Sequence, residues 1–192
     1  MTPEQISGIQ KLPLRQRDAH KGNFGRILII GGSRSMVGAP ALTANSALRA
    51  GAGLVTMALP EIIQQSAASL APCATSLVLP CDQDSGFISE YGVHILSREI
   101  ISEKNFDVIA IGPGLGEAMA VNRLIPKIVD ADIPVVIDAD GLNNLSRINW
   151  PGLLAGRCII TPHPGELARL LNRPAREIQT DRQACVVEAV DL

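Results

Sequence analysis

The chain has 192 residues, 46% of them hydrophobic and 3% aromatic, with a formal charge of −2. That length suffices for one good-sized core, and Ala, Leu, Ile and Val must fill it. The charge gives no electrostatic reason to expect DNA, RNA or an anionic membrane as a partner. There is no run of about 20 apolar residues to span a bilayer and no apolar segment of a signal peptide at the N-terminus. Cys73, Cys81, Cys158 and Cys185 form no CxxC pair. Without a secretion signal they read as reduced and structural. The three histidines lack metal-ligand spacing, so no metal site is expected. These features together lead us to expect a cytoplasmic protein.

Residues 1–25 are polar and predict a short helix followed by an extended arm. Arg26–Ile30 reads as the first strand and Gly38–Ala50 as an alanine-rich helix able to lie close on a sheet, ended by Gly51-Ala52-Gly53. Leu54–Leu59 reads as a strand closed by Pro60, and Glu61–Leu70 as a helix. Residues 71–90 are less regular, with a short strand at Ser76–Leu79 and an exposed loop at Asp82–Ser85. Val93–Ile101 predicts a helix and Val108–Ile111 a buried strand. Ala118–Val129 predicts a helix that buries Leu124, Ile125, Ile128 and Val129. A strand at 134–137, a short helix near 141–147, a strand at 158–160, a helix from Pro164 to Leu171 and a helical segment Ala175–Leu192 complete the pattern. Continuous apolar runs bounded by turns suit parallel strands buried on both faces. The alternation predicts a single three-layer αβα domain, 1–192, with a mostly parallel sheet.

Four of these strands end in turns of glycine, proline or acid, and a parallel sheet brings such turns to one edge. In open α/β sheets that edge is where ligands bind. Gly31-Gly32-Ser33 opens a loop in which backbone N–H groups and Arg34 could hold a phosphate, or which is simply a mobile connection. It is not a P-loop, because no Gly-Lys-Ser/Thr follows. Gly112-Pro113-Gly114-Leu115-Gly116 is one residue short of the dinucleotide fingerprint, and Pro113 removes an N–H; a tight packing turn is the alternative. Asp138 and Asp140 end a buried strand. Asp138 reads as a site residue, able to hold Mg²⁺ or a hydroxyl, and Asp140 as a helix cap. Thr161 and His163 both precede proline and are held extended. Pro164 suits the first turn of a helix, so His163 is fixed at a helix mouth, as a site residue or a hydrogen-bonded structural group.

In this order the turns resemble the ADP/ATP-dependent NAD(P)H-hydrate dehydratases, a ribokinase-like family formerly grouped with carbohydrate kinases. The matching stretches are His20–Gly25, Gly38-Ala39 with Ala47–Val55, Ile111–Gly116, Val136–Leu142 and Ile160–Glu166. The resemblance implies a ribokinase-like fold with Rossmann-like topology. It also implies repair of NADH or NADPH hydrated at C6 of the nicotinamide ring, a dehydration driven by ADP or ATP with Mg²⁺. It places the hydrate against Gly112, Gly114 and Gly116 and against the segment holding His163, Gly165, Glu166 and Arg169. Gly38 and Ala39 line the same pocket, and Asp138 stands at its edge. The family's adenine-nucleotide site and its catalytic aspartate, in a Gly-Thr-Gly-Asp motif, lie further along than the stretches matched here. The expectation is therefore that these residues are the N-terminal two-thirds of the fold, without the epimerase domain some members carry. They would supply the substrate side, with the base and nucleotide site beyond Leu192. Such a chain would be inactive alone and, with an unpaired sheet edge, prone to form homo-oligomers. The competing readings are a sugar or vitamin kinase of the ribokinase class and a non-catalytic dinucleotide-binding protein. A Rossmann dehydrogenase fits less well, because no acid is placed to hold a ribose.

Overall fold

The structure, a computed structural model, describes Gly8 and residues 14–103, 105–154, 156 and 158–192. The short helix expected at the start of the chain falls largely on residues 1–13, outside the described residues apart from Gly8. The first described element is a single 3₁₀ turn, Lys21–Phe24, capped by His20, whose Nδ1 accepts the Gly22 N–H at 3.1 Å.

Six strands follow, all parallel: β1 Arg26–Ile30, β2 Leu54–Pro60, β3 Thr75–Leu79, β4 Val108–Ile111, β5 Val135–Ile137 and β6 Cys158–Ile160. Their order across the sheet is β3-β2-β1-β4-β5-β6. The chain winds outward from β1 in one direction, then returns to lay β4 on the other side of β1. The resulting switch point between β1 and β4 leaves a crevice outside the carboxyl ends of the strands.

The helices are α1 Gly38–Ala50, α2 Gln64–Leu70, α3 Glu90–Glu103, α4 Met119–Val129, α5 Asp140–Leu145, α6 Pro164–Leu170, α7 Ala175–Thr180 and α8 Arg182–Asp191. Strand alternation sends Ile29, Val55, Met57 and Leu59 to the face covered by α1 and α2. Leu28, Ile30, Ile109, Ile111, Val135 and Ile137 face the larger core under α3, α4 and α5. Ala41 and Ala44 are completely or almost completely buried, so α1 sits close on the sheet as its small residues predict. On α4, Val121, Leu124, Ile125 and Ile128 form the buried stripe, each worth about 1.5–3 kcal/mol relative to exposure.

Most differences from the sequence reading are at element ends. Glu61–Ile63 is a 3₁₀ turn leading into α2 rather than part of one helix. The predicted helix over 175–192 is two helices. Asp181 separates them by turning its carboxylate onto the Ala184 N–H at 3.0 Å, which starts α8 afresh.

Candidate functional site

The register of the sheet sets the site. Ile30 pairs with Ile111, Ile111 with Ile137 and Ile137 with Ile160, so four strands end on one rung. The four turns predicted to meet therefore do so. At the switch point the first two are in backbone contact: Gly32 donates to the Pro113 carbonyl at 2.9 Å, and the Gly112 N–H to the Ile30 carbonyl at 3.0 Å.

Beyond β1, Arg34 leaves the phosphate position suggested by its sequence. Its guanidinium donates to the carbonyl of Gln83, whose amide in turn donates to Glu61 Oε1 at 2.7 Å. Gly38 and Ala39 open α1 beside the β4 turn. A Cβ on Gly38 would meet nothing within 4 Å, whereas one on Gly114 would stand 2.6 Å from Met36 Cβ and 3.1 Å from Ala39 Cβ. Gly114 is thus buried under this chain's own Met36 and Ala39, and its φ of +65° is one that glycine adopts at no steric cost. Gly112 is buried as well, against the Asp138 carbonyl. Gly116 is half-buried, with the ring of Phe87 lying on it.

The β5 turn holds two carboxylates with different tasks. Between them Ala139 adopts φ 49°, ψ −121°, a conformation that an alanine holds only when its surroundings enforce it. Asp138 is half-buried, and its carboxylate has no hydrogen-bond partner among the described residues. Asp140 does not cap α5, contrary to the sequence reading. It is the first residue of that helix, and its Oδ2 accepts the Gly116 N–H at 2.9 Å while Oδ1 accepts from Asn143 at 3.1 Å. Two residues that sequence reasoning missed complete this contact. Asn144, fully buried, accepts the Ala118 N–H on Oδ1 at 3.1 Å. Its Nδ2 donates to the carbonyls of Gly116 and Asp140 at 2.8 and 2.7 Å. Asn143 accepts from Arg169 Nη1 at 2.9 Å. An Asn-Asn pair inside an otherwise apolar helix pattern is the sequence signal that could have found them.

After β6, His163 is the N-cap of α6. Its Nδ1 accepts the N–H groups of Gly165 and Glu166 at 3.0 and 3.4 Å. Glu166 returns Oε2 to the His163 N–H at 2.8 Å, closing a capping box. Because Nδ1 is the acceptor, the neutral ring carries its proton on Nε2, 3.2 Å from Glu166 Oε1. The Glu166 side chain is 6% exposed and the His163 side chain 63% exposed. The imidazole therefore faces the open edge with its tautomer held by a buried acid. Arg169 lies one turn further along α6 and reaches back to α5. The edge thus offers a carboxylate able to accept from a hydroxyl and an imidazole with a defined proton, above a glycine turn packed closely against this chain's own residues.

A family model described as Carb_kinase, NAD(P)H-hydrate dehydratase, matches residues 27–191. The bifunctional NAD(P)H-hydrate repair enzyme of Moorella thermoacetica is 40% identical over 179 residues, covering 90% of this chain and 32% of that one. The Bacillus subtilis ADP/ATP-dependent NAD(P)H-hydrate dehydratase, co-crystallised with ATP and Mg²⁺, superposes with a TM-score of 0.68 at 30% identity, over 89% of this chain and 56% of its own. A ribokinase-like protein of Enterococcus faecalis, 23% identical with a TM-score of 0.69 over 92% of this chain and 58% of its own, shares the fold. The chain spans about a third of the length of the bifunctional relative and 56% of the dehydratase. With the family's model matched across most of the sequence and the ribokinase-like sheet in place, the chain belongs to the NAD(P)H-hydrate dehydratase family.

Proposed function

We propose that the chain acts in nicotinamide-nucleotide repair, in the dehydration of (6S)-NAD(P)H hydrate to NAD(P)H driven by ADP or ATP hydrolysis, and that the edge described above is the hydrate's pocket. The observation that carries this reading is the common rung of Ile30, Ile111, Ile137 and Ile160. It gathers the turns matched by the family onto one edge at the switch point.

Within that pocket Asp138 accepts a hydrogen bond from a hydroxyl of the substrate, since its carboxylate is half-buried and not engaged by the described residues. His163 presents its ring on the same edge, oriented by Glu166. Gly38 leaves room for the ligand against the start of α1. Gly112, Gly114 and Gly116 shape the wall beneath, and Gly165 lets the chain fold tightly under the imidazole.

The driving nucleotide and Mg²⁺ come to this reading from kinship. Among the described residues no group of three His, Cys, Asp or Glu side chains could hold a metal ion. The N–H groups of Gly32, Gly112 and Gly116 are already bonded within the chain. Those three N–H groups are therefore not open to a polyphosphate. Among the described residues no helix is long and apolar enough to cross a membrane. A cytoplasmic homo-oligomer is the assembly we propose, to be checked by sedimentation.

Calorimetric titration of the purified chain with NADPH hydrate tests the reading, with NADPH and a panel of sugars and vitamins as comparators. Saturable binding of the hydrate, weakened by Asp138→Ala and His163→Ala, is expected. Binding of a sugar or vitamin in its place would move the chain to the kinase class. A parallel incubation with hydrate, Mg²⁺ and ADP or ATP, followed by reduced-nicotinamide absorbance, reads turnover.

A further inference from the structure

Gly116 is held by both of its backbone polar groups from a helix more than twenty residues away in sequence. Asp140 takes its N–H and Asn144 gives a hydrogen to its carbonyl. The same Asp140 accepts from Asn143, and Asn143 accepts from Arg169 on α6. A continuous run of four polar groups therefore joins the segment behind His163 to the glycine turn after β4. We propose that Asp140, Asn144 and Arg169 are positioning residues, which fix the height of the Gly112–Gly116 turn over the sheet edge and make it move together with α6.

Three observations separate this from ordinary packing. Asn144 is fully buried beside Leu142 and Leu145, where an apolar residue would satisfy the core; its three hydrogen bonds go to the turn and to Asp140. The run ends at an exposed arginine, which contributes nothing to the core. Asp140 reaches Gly116 from a backbone bend at Ala139 that alanine disfavours, and strain of this kind persists only where the surroundings over-determine it. The guanidinium of Arg169 polarises the Asn143 amide and so makes its Nδ2 a stronger donor to Asp140, which fixes that carboxylate where it meets the Gly116 N–H. The inference rests on the edge being the hydrate's pocket. Its consequence there is that the two segments contacting the substrate are set as one unit, so that a change at Arg169 is felt at Gly116.

The experiment measures three quantities on the purified chain without ligand and then with NADPH, the product of the proposed reaction. They are amide hydrogen exchange at Gly116 and Ala118 by NMR, NADPH affinity by calorimetry, and the thermal midpoint. Arg169→Ala should speed Gly116 exchange in the ligand-free protein about tenfold, as expected when a charge-assisted bond in the run is lost. Its thermal midpoint should hardly move, and Arg169→Lys should restore protection because it returns a donor to Asn143. Asp140→Ala should speed the same amide at least as much and weaken NADPH about tenfold. Unchanged Gly116 exchange in Arg169→Ala overturns the proposal. So does an Asp140→Ala protein that melts early yet binds NADPH as the wild type does. If the wild type binds neither NADPH nor its hydrate, the functional reading fails, and Gly116 exchange in Arg169→Ala still decides whether the turn and α6 are coupled.

Discussion

Gly38→Ala separates ligand space from packing more sharply than any other single substitution at this edge. Gly38 is the first residue of α1, is exposed, has ordinary helical backbone, and would place a new Cβ with no atom within 4 Å. Exchange of a helical glycine for alanine at an unstrained position stabilises a protein by about 0.4–1 kcal/mol, mainly by restricting the unfolded chain. In a domain of this size that raises the thermal midpoint by roughly 1–4 °C. If the pocket abuts α1, the same methyl projects into it, and NADPH hydrate affinity should fall while stability rises. Calorimetry and thermal denaturation on one protein sample read both. Gly114→Ala is the contrasting control. Its Cβ would stand 2.6 Å from Met36 Cβ at a φ of +65°, so it should lose stability outright, by about 1–3 kcal/mol from backbone strain alone. A Gly38→Ala protein that gains stability and binds the hydrate as tightly as the wild type would remove Gly38 from the pocket and refute the placement of the ligand against α1.

His163 has two roles that substitution can divide. His163→Ala removes the cap of α6 and should lower stability by about 1 kcal/mol, whereas His163→Asn keeps a capping oxygen; if the ring touches the ligand, both lose affinity equally, and wild-type affinity in the asparagine variant would leave His163 as a cap only. Asn144→Ala leaves the half-buried Gly116 carbonyl and Ala118 N–H without their partner. At about 1–3 kcal/mol for each unsatisfied group, a thermal midpoint lower by less than a few degrees would show that water replaces the amide. Asp82 accepts the Ser85 N–H at 2.7 Å, the Ser85 hydroxyl at 2.8 Å and the Asp84 N–H at 3.2 Å, which holds its carboxyl below the usual value of 3.8. The folded carboxyl titrates lower than the unfolded one, so its support of the 82–85 turn is complete above the ordinary value and is lost as pH falls through the folded one. An NMR titration placing Asp82 at or above 3.8 would contradict this.

The strands and their common edge were legible because they rest on local signals. The runs ending at Ile30, Ile111, Ile137 and Ile160 each lead into a turn of glycine, proline or acid, and parallel pairing then brings those turns to one edge. The His163–Glu166 box was legible in part, since Pro162 and Pro164 fix the backbone around His163 from the sequence alone. What escaped was every contact made across the edge. Arg34 beside glycines suggests phosphate, yet its guanidinium finds the Gln83 carbonyl on the loop after β3, which only the order β3-β2-β1 brings near.

Asp140 shows why such contacts stay hidden. An aspartate entering a helix has a local use as a cap, and nothing in its neighbourhood argues otherwise. The backbone at Ala139 withdraws that use by turning the residue into the helix itself. The carboxylate is then free for a partner across the edge, and β4 and β5 are adjacent strands whose turns leave at the same height. Gly116, on the turn after β4, presents its N–H to that carboxylate at 2.9 Å. The same adjacency explains why Asp138, two residues earlier and on the other side of the bend, keeps a carboxylate that the described residues leave open. One alanine in an unfavoured conformation thus divides two neighbouring acids into a scaffold group and a group available to a ligand. Changing Ala139 to glycine should relieve that strain with the bend kept, so the thermal midpoint should not fall and Gly116 amide exchange should stay as slow as in the wild type; a lower midpoint or faster exchange would refute the role given to the bend.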